Sequence, residues 1–198
     1  MNIYKIPFIS YLISSVIIIL LYRNYVYGID GTQKYYEISS TSTLDNPTLY
    51  FINLISFCII GTIAAQFYRR EIKIKGKPVL TKILKIMGLC AAAMTIIQAF
   101  VPITSPGVSY SENQNLFHEL MGYGGILLHL IVISILIFYN PDKRRNFIIL
   151  SWAALFLFII IGMARSLSEK IEDNMPKAFS GIVQRLCVGF LLLSLYYY

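Results

Sequence analysis

The sequence predicts an all-α, polytopic integral membrane protein: a compact bundle of six transmembrane helices forming a single domain over residues 1–198, with both termini cytoplasmic. Three observations predict it. Of the 198 residues, 57% are hydrophobic and only 14% charged, against roughly 25% charged in ordinary soluble domains. The apolar residues come in blocks of about 17 to 25, the length a helix needs to cross roughly 30 Å of hydrocarbon at 1.5 Å per residue. Lysine and arginine are gathered in two of the short connections between blocks, which is how topology is written into such chains.

The first span, 6–22 (IPFISYLISSVIIILLY), follows Lys5 and exits through YRNYVYG. That exit has no small-x-small cleavage pattern, so the segment is expected to be a retained helix and not a signal peptide. The second span, 48–68, ends at a basic run, and Gly61 and Ala65 give it a small-residue face. The third, 83–101, is bounded by Pro78 and Lys82 before it and by Pro102 and Pro106 after it, with Gly88, Ala92 and Ala99 as its small-residue strip. Such strips let neighbouring helices approach closely where lipid supplies no hydrophobic drive between them. The fourth span, 116–139, stops at Asn140-Pro141. The fifth covers 147–164, and the sixth, 180–198, is expected to start beyond the breaker Pro176 and Lys177.

The segment RREIKIKGKPVLTKILK carries Arg69, Arg70, Lys73, Lys75, Lys77, Lys82 and Lys85, and NPDKRRN carries Lys143, Arg144 and Arg145. With these two loops cytoplasmic, the connections at 23–47, 102–115 and 165–179 face outward. The outer loops hold Asp30, Glu37, Asp45, Glu112, Glu169, Glu172 and Asp173. The net charge of +7 is therefore a topogenic signal first. It attracts anionic lipid headgroups at about 1 kcal/mol per basic residue, and without aromatic platforms or a soluble domain it does not indicate nucleic acid. Membrane lipids are the expected partners, the oligomeric state is open, and no cofactor is expected. Cys58, Cys90 and Cys187 stand singly inside spans and are expected to be packing residues. Their spacing supports no metal site.

Chemistry concentrates in the fourth and sixth spans. His118, Gly122, Gly125 and His129 are spaced i, i+4, i+7, i+11 and share one helix face. The two imidazoles are about 16 Å apart along it at 1.5 Å per residue, so they cannot chelate one ion. His118 is expected at the outer end beside Glu119, and His129 near the midplane as a packed residue bonded to a neighbouring helix. In the sixth span Gln184 and Arg185 lie about one and a half turns inside the membrane, and Gly181, Arg185 and Gly189 run i, i+4, i+8. An arginine within a span normally finds a partner or a hydrated cavity. With Gln98 near the outer end of the third span, the candidate ligand-binding constellation is Gln98, His118, Glu119, Gln184 and Arg185.

Phe100-Val101-Pro102 at the end of the third span, FHELMGYGG opening the fourth and Gly181-Ile182-Val183-Gln184-Arg185 at the start of the sixth resemble the bacterial six-span family called domain of unknown function 998. That family is similar to the DRAM and Sfk-type membrane proteins. The resemblance implies the fold and a membrane address, and no reaction. The family tends to place an acidic residue just after the proline, whereas this chain reads Pro102-Ile103-Thr104-Ser105, leaving Glu112 or Glu119 to substitute.

Three functions stay open from the residues. The first is an outward-facing polar pocket that binds an anionic lipid headgroup or small solute, with the Arg185 fork as anion donor. The second is an intramembrane lipid-modifying enzyme using His118 or Glu119 as base and Arg185 as anion stabiliser. The third is a structural or regulatory protein whose polar residues only lock helices. No HExxH, GxSxG, CxxC or GxGxxG motif occurs, and no inverted repeat argues for a transporter.

Overall fold

The computed structural model describes residues 3–27, 47–101, 112–140, 145–171 and 174–198. Among them there is no strand. A short 3-10 turn, Ile3–Lys5, leads into six helices: α1 (Ile6–Tyr27), α2 (Pro47–Glu71), α3 (Pro78–Phe100), α4 (Glu112–Tyr139), α5 (Arg145–Ile171) and α6 (Asn174–Tyr197). Of the expected outward loops, 23–47 and 102–115 fall largely outside the described residues, and Lys143, Arg144 and the segment Pro102-Ile103-Thr104-Ser105 lie outside them. What is described of the three connections is helical, at 23–27, 47, 112–115, 165–171 and 174–179.

Four helical stretches, Tyr50–Glu71, Pro78–Phe100, Leu116–Tyr139 and Arg145–Met163, are long and apolar enough to cross a membrane. The apolar stretches described in α1 and α6 are shorter, Ile3–Ile17 and Val183–Tyr197. An exposed apolar belt accompanies them: Leu12, Ile55, Ile86, Leu120, Phe156 and Met163 all face outward. A soluble monomer rarely exposes contiguous apolar patches beyond a few hundred Å². The helices and the belt together fit an integral membrane protein.

Several boundaries differ from expectation: α1 runs on to Tyr27, α4 begins at Glu112, α5 runs on to Ile171 and α6 begins at Asn174. α3 starts at Pro78 and not at 83, with the proline at its first position and Lys77 as the preceding cap residue. The missing proline N–H costs nothing there, because first-turn donors have no intrahelical acceptor. Pro176 likewise lies in the first turn of α6 and does not stop it. Proline breaks a helix only where the ring meets a carbonyl one turn earlier. α3 does stop at Pro102: Val101, just before it, is extended (φ −105°, ψ 94°), as a residue preceding proline must be.

Each helix packs against the next along the chain, and α1 also meets α6, closing a ring; the α4–α5 and α1–α6 seams are the thinnest. Close approach is achieved by glycine. A Cβ on Gly61 would meet the Ala92 carbonyl oxygen at 2.9 Å and overlap Ile96, and one on Gly88 would overlap the Tyr68 ring. The core is apolar, built around Tyr68, Leu84, Leu130, Leu136, Phe147 and Leu191. α1 is joined to its neighbours by hydroxyls: Ser14 lies 3.2 Å from Ser56 of α2, and the Tyr11 hydroxyl donates to the Arg185 carbonyl of α6 at 2.8 Å. In lipid such bonds stand in for hydrophobic drive.

Candidate functional site

A cavity opens inside the ring between α2, α3, α4 and α6. Its room is about 40 Å³, enough for about three waters at 10–15 Å³ each. The wall has two characters. Gln98, Glu119, Tyr123 and Gln184 cluster toward one end, and Phe57, Ile60, Val188, Leu191 and Leu195 form the apolar body. Thr95 and His129 add a second polar pair deeper in. Helical spacing produces the α4 wall: Glu119, Gly122, Tyr123, Ile126 and His129 follow steps of three and four residues, so one face supplies them all.

Gln98 lies across α4 because Gly122 is there. A Cβ at that position would meet the Gln98 amide nitrogen at 2.5 Å. The amide reaches His118, whose Nε2 is 3.2 Å from Gln98 Nε2. His118 Nδ1 bonds the Val101 carbonyl. A carbonyl only accepts, so Nδ1 carries the proton, and in the neutral ring Nε2 accepts from the Gln98 amide. The chemistry behind this is helix termination: the last carbonyls of a helix lack intrahelical partners, and the extended Val101 presents its own to α4. His118 is fully buried and caps the end of α3.

His129 is bonded on both sides as well. The Thr95 hydroxyl donates to the Ala91 carbonyl at 3.0 Å. Its oxygen therefore accepts from His129 Nε2–H, 3.4 Å away. Nδ1 then has a free lone pair, which takes the Tyr68 hydroxyl at 2.5 Å. Tyr68 also stacks on the imidazole, with ring centroids 5.3 Å apart and planes 23° apart. The two histidines are thus opposite tautomers: His118 carries its proton on Nδ1, His129 on Nε2. Among the described residues no buried side-chain nitrogen or oxygen lacks a hydrogen bond.

The five candidate residues separate. Gln98, Glu119 and Gln184 line the cavity together, and the Gln184 amide donates to the Tyr123 hydroxyl at 3.4 Å. His118 stands behind Gln98 and does not line it. Arg185 does not line it either; it is half-buried, and its backbone carbonyl takes Tyr11. The expectation that His129 is a packed residue bonded to a neighbouring helix holds, through Tyr68 and Thr95; His129 also lines the cavity wall, and His118 does not. The physical reason is that the extended residue before Pro102 draws His118 into capping, while the cavity runs down the α4 face as far as His129. Sequence reasoning also missed Thr95 and Tyr123, although Thr95 lies one turn from Gln98 and Tyr123 one turn from Glu119. Nothing in the sequence pointed to Tyr68, which lies beside Arg69 at the end of a span.

The three cysteines are free. Cys187 is buried, with its thiol donating to the Ala154 carbonyl at 3.2 Å, and Cys90 is exposed on α3. Comparison of the chain with protein-family models, with curated proteins and with solved structures finds no match.

Proposed function

We propose that the protein is a multi-pass protein of the cell membrane with six spans and both termini cytoplasmic, whose intramembrane cavity takes a small amphiphilic solute or a lipid group. The polar part would sit against Gln98, Glu119 and Gln184, and the apolar part along α2 and α6. The carrying observation is the two-character wall: a polar end continuous with an apolar body is the shape of an amphiphile site. Membership in the domain of unknown function 998 family belongs to the same proposal and adds no reaction to it. Glu119 on the wall, with Arg185 off it, favours a ligand that brings hydrogen-bond donors, an alcohol or an amine, over an anionic headgroup. The lipid-modifying enzyme reading loses His118 as its base, because both nitrogens are engaged, and is left with Glu119 on the wall and Arg185 off it.

The test compares ethanol, ethylamine and ethyl phosphate, sized to a cavity of about 40 Å³, as ligands of the purified protein, read as shifts in melting temperature. Ethanol or ethylamine should raise it, and Gln98→Ala should abolish the shift while the protein still folds. Equal response to all three in wild type and variant would sink the pocket. A second reading, that the polar residues only join helices, is favoured by the complete hydrogen bonding of His118 and His129, and the same experiment without any ligand shift would support it.

A further inference from the structure

The basic loop between α2 and α3 is a built surface. Ile72 and Ile74 are buried, so the chain is anchored at two alternate residues while Lys73 and Lys75 between and after them are exposed. The turn is closed by backbone bonds from Lys77 N–H to the Ile74 carbonyl (3.2 Å) and from Thr81 N–H to the Lys77 carbonyl (3.0 Å), and the Thr81 hydroxyl accepts Ile74 N–H at 3.0 Å. Gly76 supplies the left-handed residue it needs, at φ 73°. Glu71 is the single carboxylate of the segment 69–85, and it accepts the Tyr4 hydroxyl at 2.8 Å.

Two lysines are placed where this surface meets the apolar belt. Lys82 is exposed within the outward stripe of α3, at the i+3 position from Val79 and one before Ile83, with Ile86 following. Val79, Ile83 and Ile86 are 71%, 48% and 52% exposed. Lys77 holds its ammonium 4.8 Å from the centre of the Tyr139 ring at the end of α4, and the adjacent Phe138 is 77% exposed. The same ends of α3 and α4 therefore present two cations, one of them held over the Tyr139 ring, and, beside them, apolar side chains of a kind that lines acyl chains. A soluble anion would use only the cations. A cationic side chain on a lipid-facing helix stripe extends its ammonium to the headgroup level.

We propose that the ends of α3 and α4 at this loop form a binding site for an anionic phospholipid, with its phosphate held by Lys77 and Lys82 and its chains along Val79, Ile83 and Phe138. The site is separate from the cavity inside the ring and stands or falls independently of it.

Purified full-length protein in a neutral detergent is offered phosphatidylglycerol and phosphatidylcholine of matched chains, and retained lipid is read by native mass spectrometry. Wild type should retain phosphatidylglycerol in preference. Lys82→Gln should lower that retention about fivefold, and Lys77→Gln with Lys82→Gln about 25-fold. Arg69→Gln with Arg70→Gln, which removes the same charge from exposed positions on α2 outside the site, should change it less than about twofold, under about 0.4 kcal/mol, because contact and not diffuse attraction holds the lipid. Absence of a preference in wild type, or equal losses in the two double variants, would overturn the site, since either result means diffuse attraction alone. Displacement of the lipid by glycerol 3-phosphate at matched concentration would show that a free phosphate suffices, and would overturn the lipid as occupant.

Discussion

His118 is spent on a helix end. Its Nδ1–H satisfies the Val101 carbonyl and its Nε2 accepts Gln98, so His118→Ala strands a half-buried carbonyl and a half-buried amide together. Leaving buried polar groups unsatisfied costs about 1–3 kcal/mol each, so the melting temperature in detergent should fall by several degrees; a drop too small to measure would mean that water replaces the ring. His129 differs because it faces the cavity. Tyr68→Phe removes the donor to Nδ1 while keeping the stacked ring, and a net cost of about 1 kcal/mol is expected. With only two histidines in the chain, nitrogen-15 spectra of His-labelled protein should show the Nδ1 signal of His129 move in Tyr68→Phe and that of His118 stay. Both side chains could be named from the sequence as buried candidates. That His129 bonds a neighbouring helix was legible too; the partners were not, because they depend on which group another helix brings, and Val101 and Tyr68 are 17 and 61 positions away from the two histidines in the chain.

Helix packing here depends on where glycine removes a side chain. Gly88 makes room for the Tyr68 ring that stacks on His129, and Gly61 for the Ala92 carbonyl. Gly88→Ala should therefore destabilise by more than 1 kcal/mol in spite of alanine's better helix propensity, which favours it by about 1 kcal/mol. Gly162 in α5 has nothing within 4 Å of a Cβ, so Gly162→Ala should hold or raise the melting temperature. If the two alanines behaved alike, propensity and not contact would set the outcome. The small-residue strips on the second and third spans were legible as packing faces from their spacing. Helix starts were less so: Pro78 and Pro176 look like breakers when read as letters, yet a proline in a first turn removes a donor that had no acceptor.

On the scale of the whole molecule, the cysteines give a reading of the fold. Cys90 is exposed and Cys187 buried with its thiol bonded to α5. A thiol reacts as its thiolate, which neither hydrocarbon around Cys90 nor the packed α5–α6 seam around Cys187 favours, so a maleimide should label both only as heating opens the fold. Topology has its own check: an impermeant maleimide on intact cells should label Val108→Cys and leave Lys75→Cys unlabelled until the membrane is broken, with the reverse pattern inverting the proposed orientation. The sequence by itself determined the class. Runs of apolar residues are forced into helices because hydrocarbon offers backbone groups no other partner, and clustered Lys and Arg argue for sidedness. Only the tertiary structure decided which residues share a site. It closed six helices into a ring, set Gln98, Glu119, Gln184 and His129 on one cavity, and turned His118 and Arg185 to other work. Membership of a site is a property of interhelical register, which depends on glycine contacts and helix ends from distant parts of the chain, and no local pattern carries that.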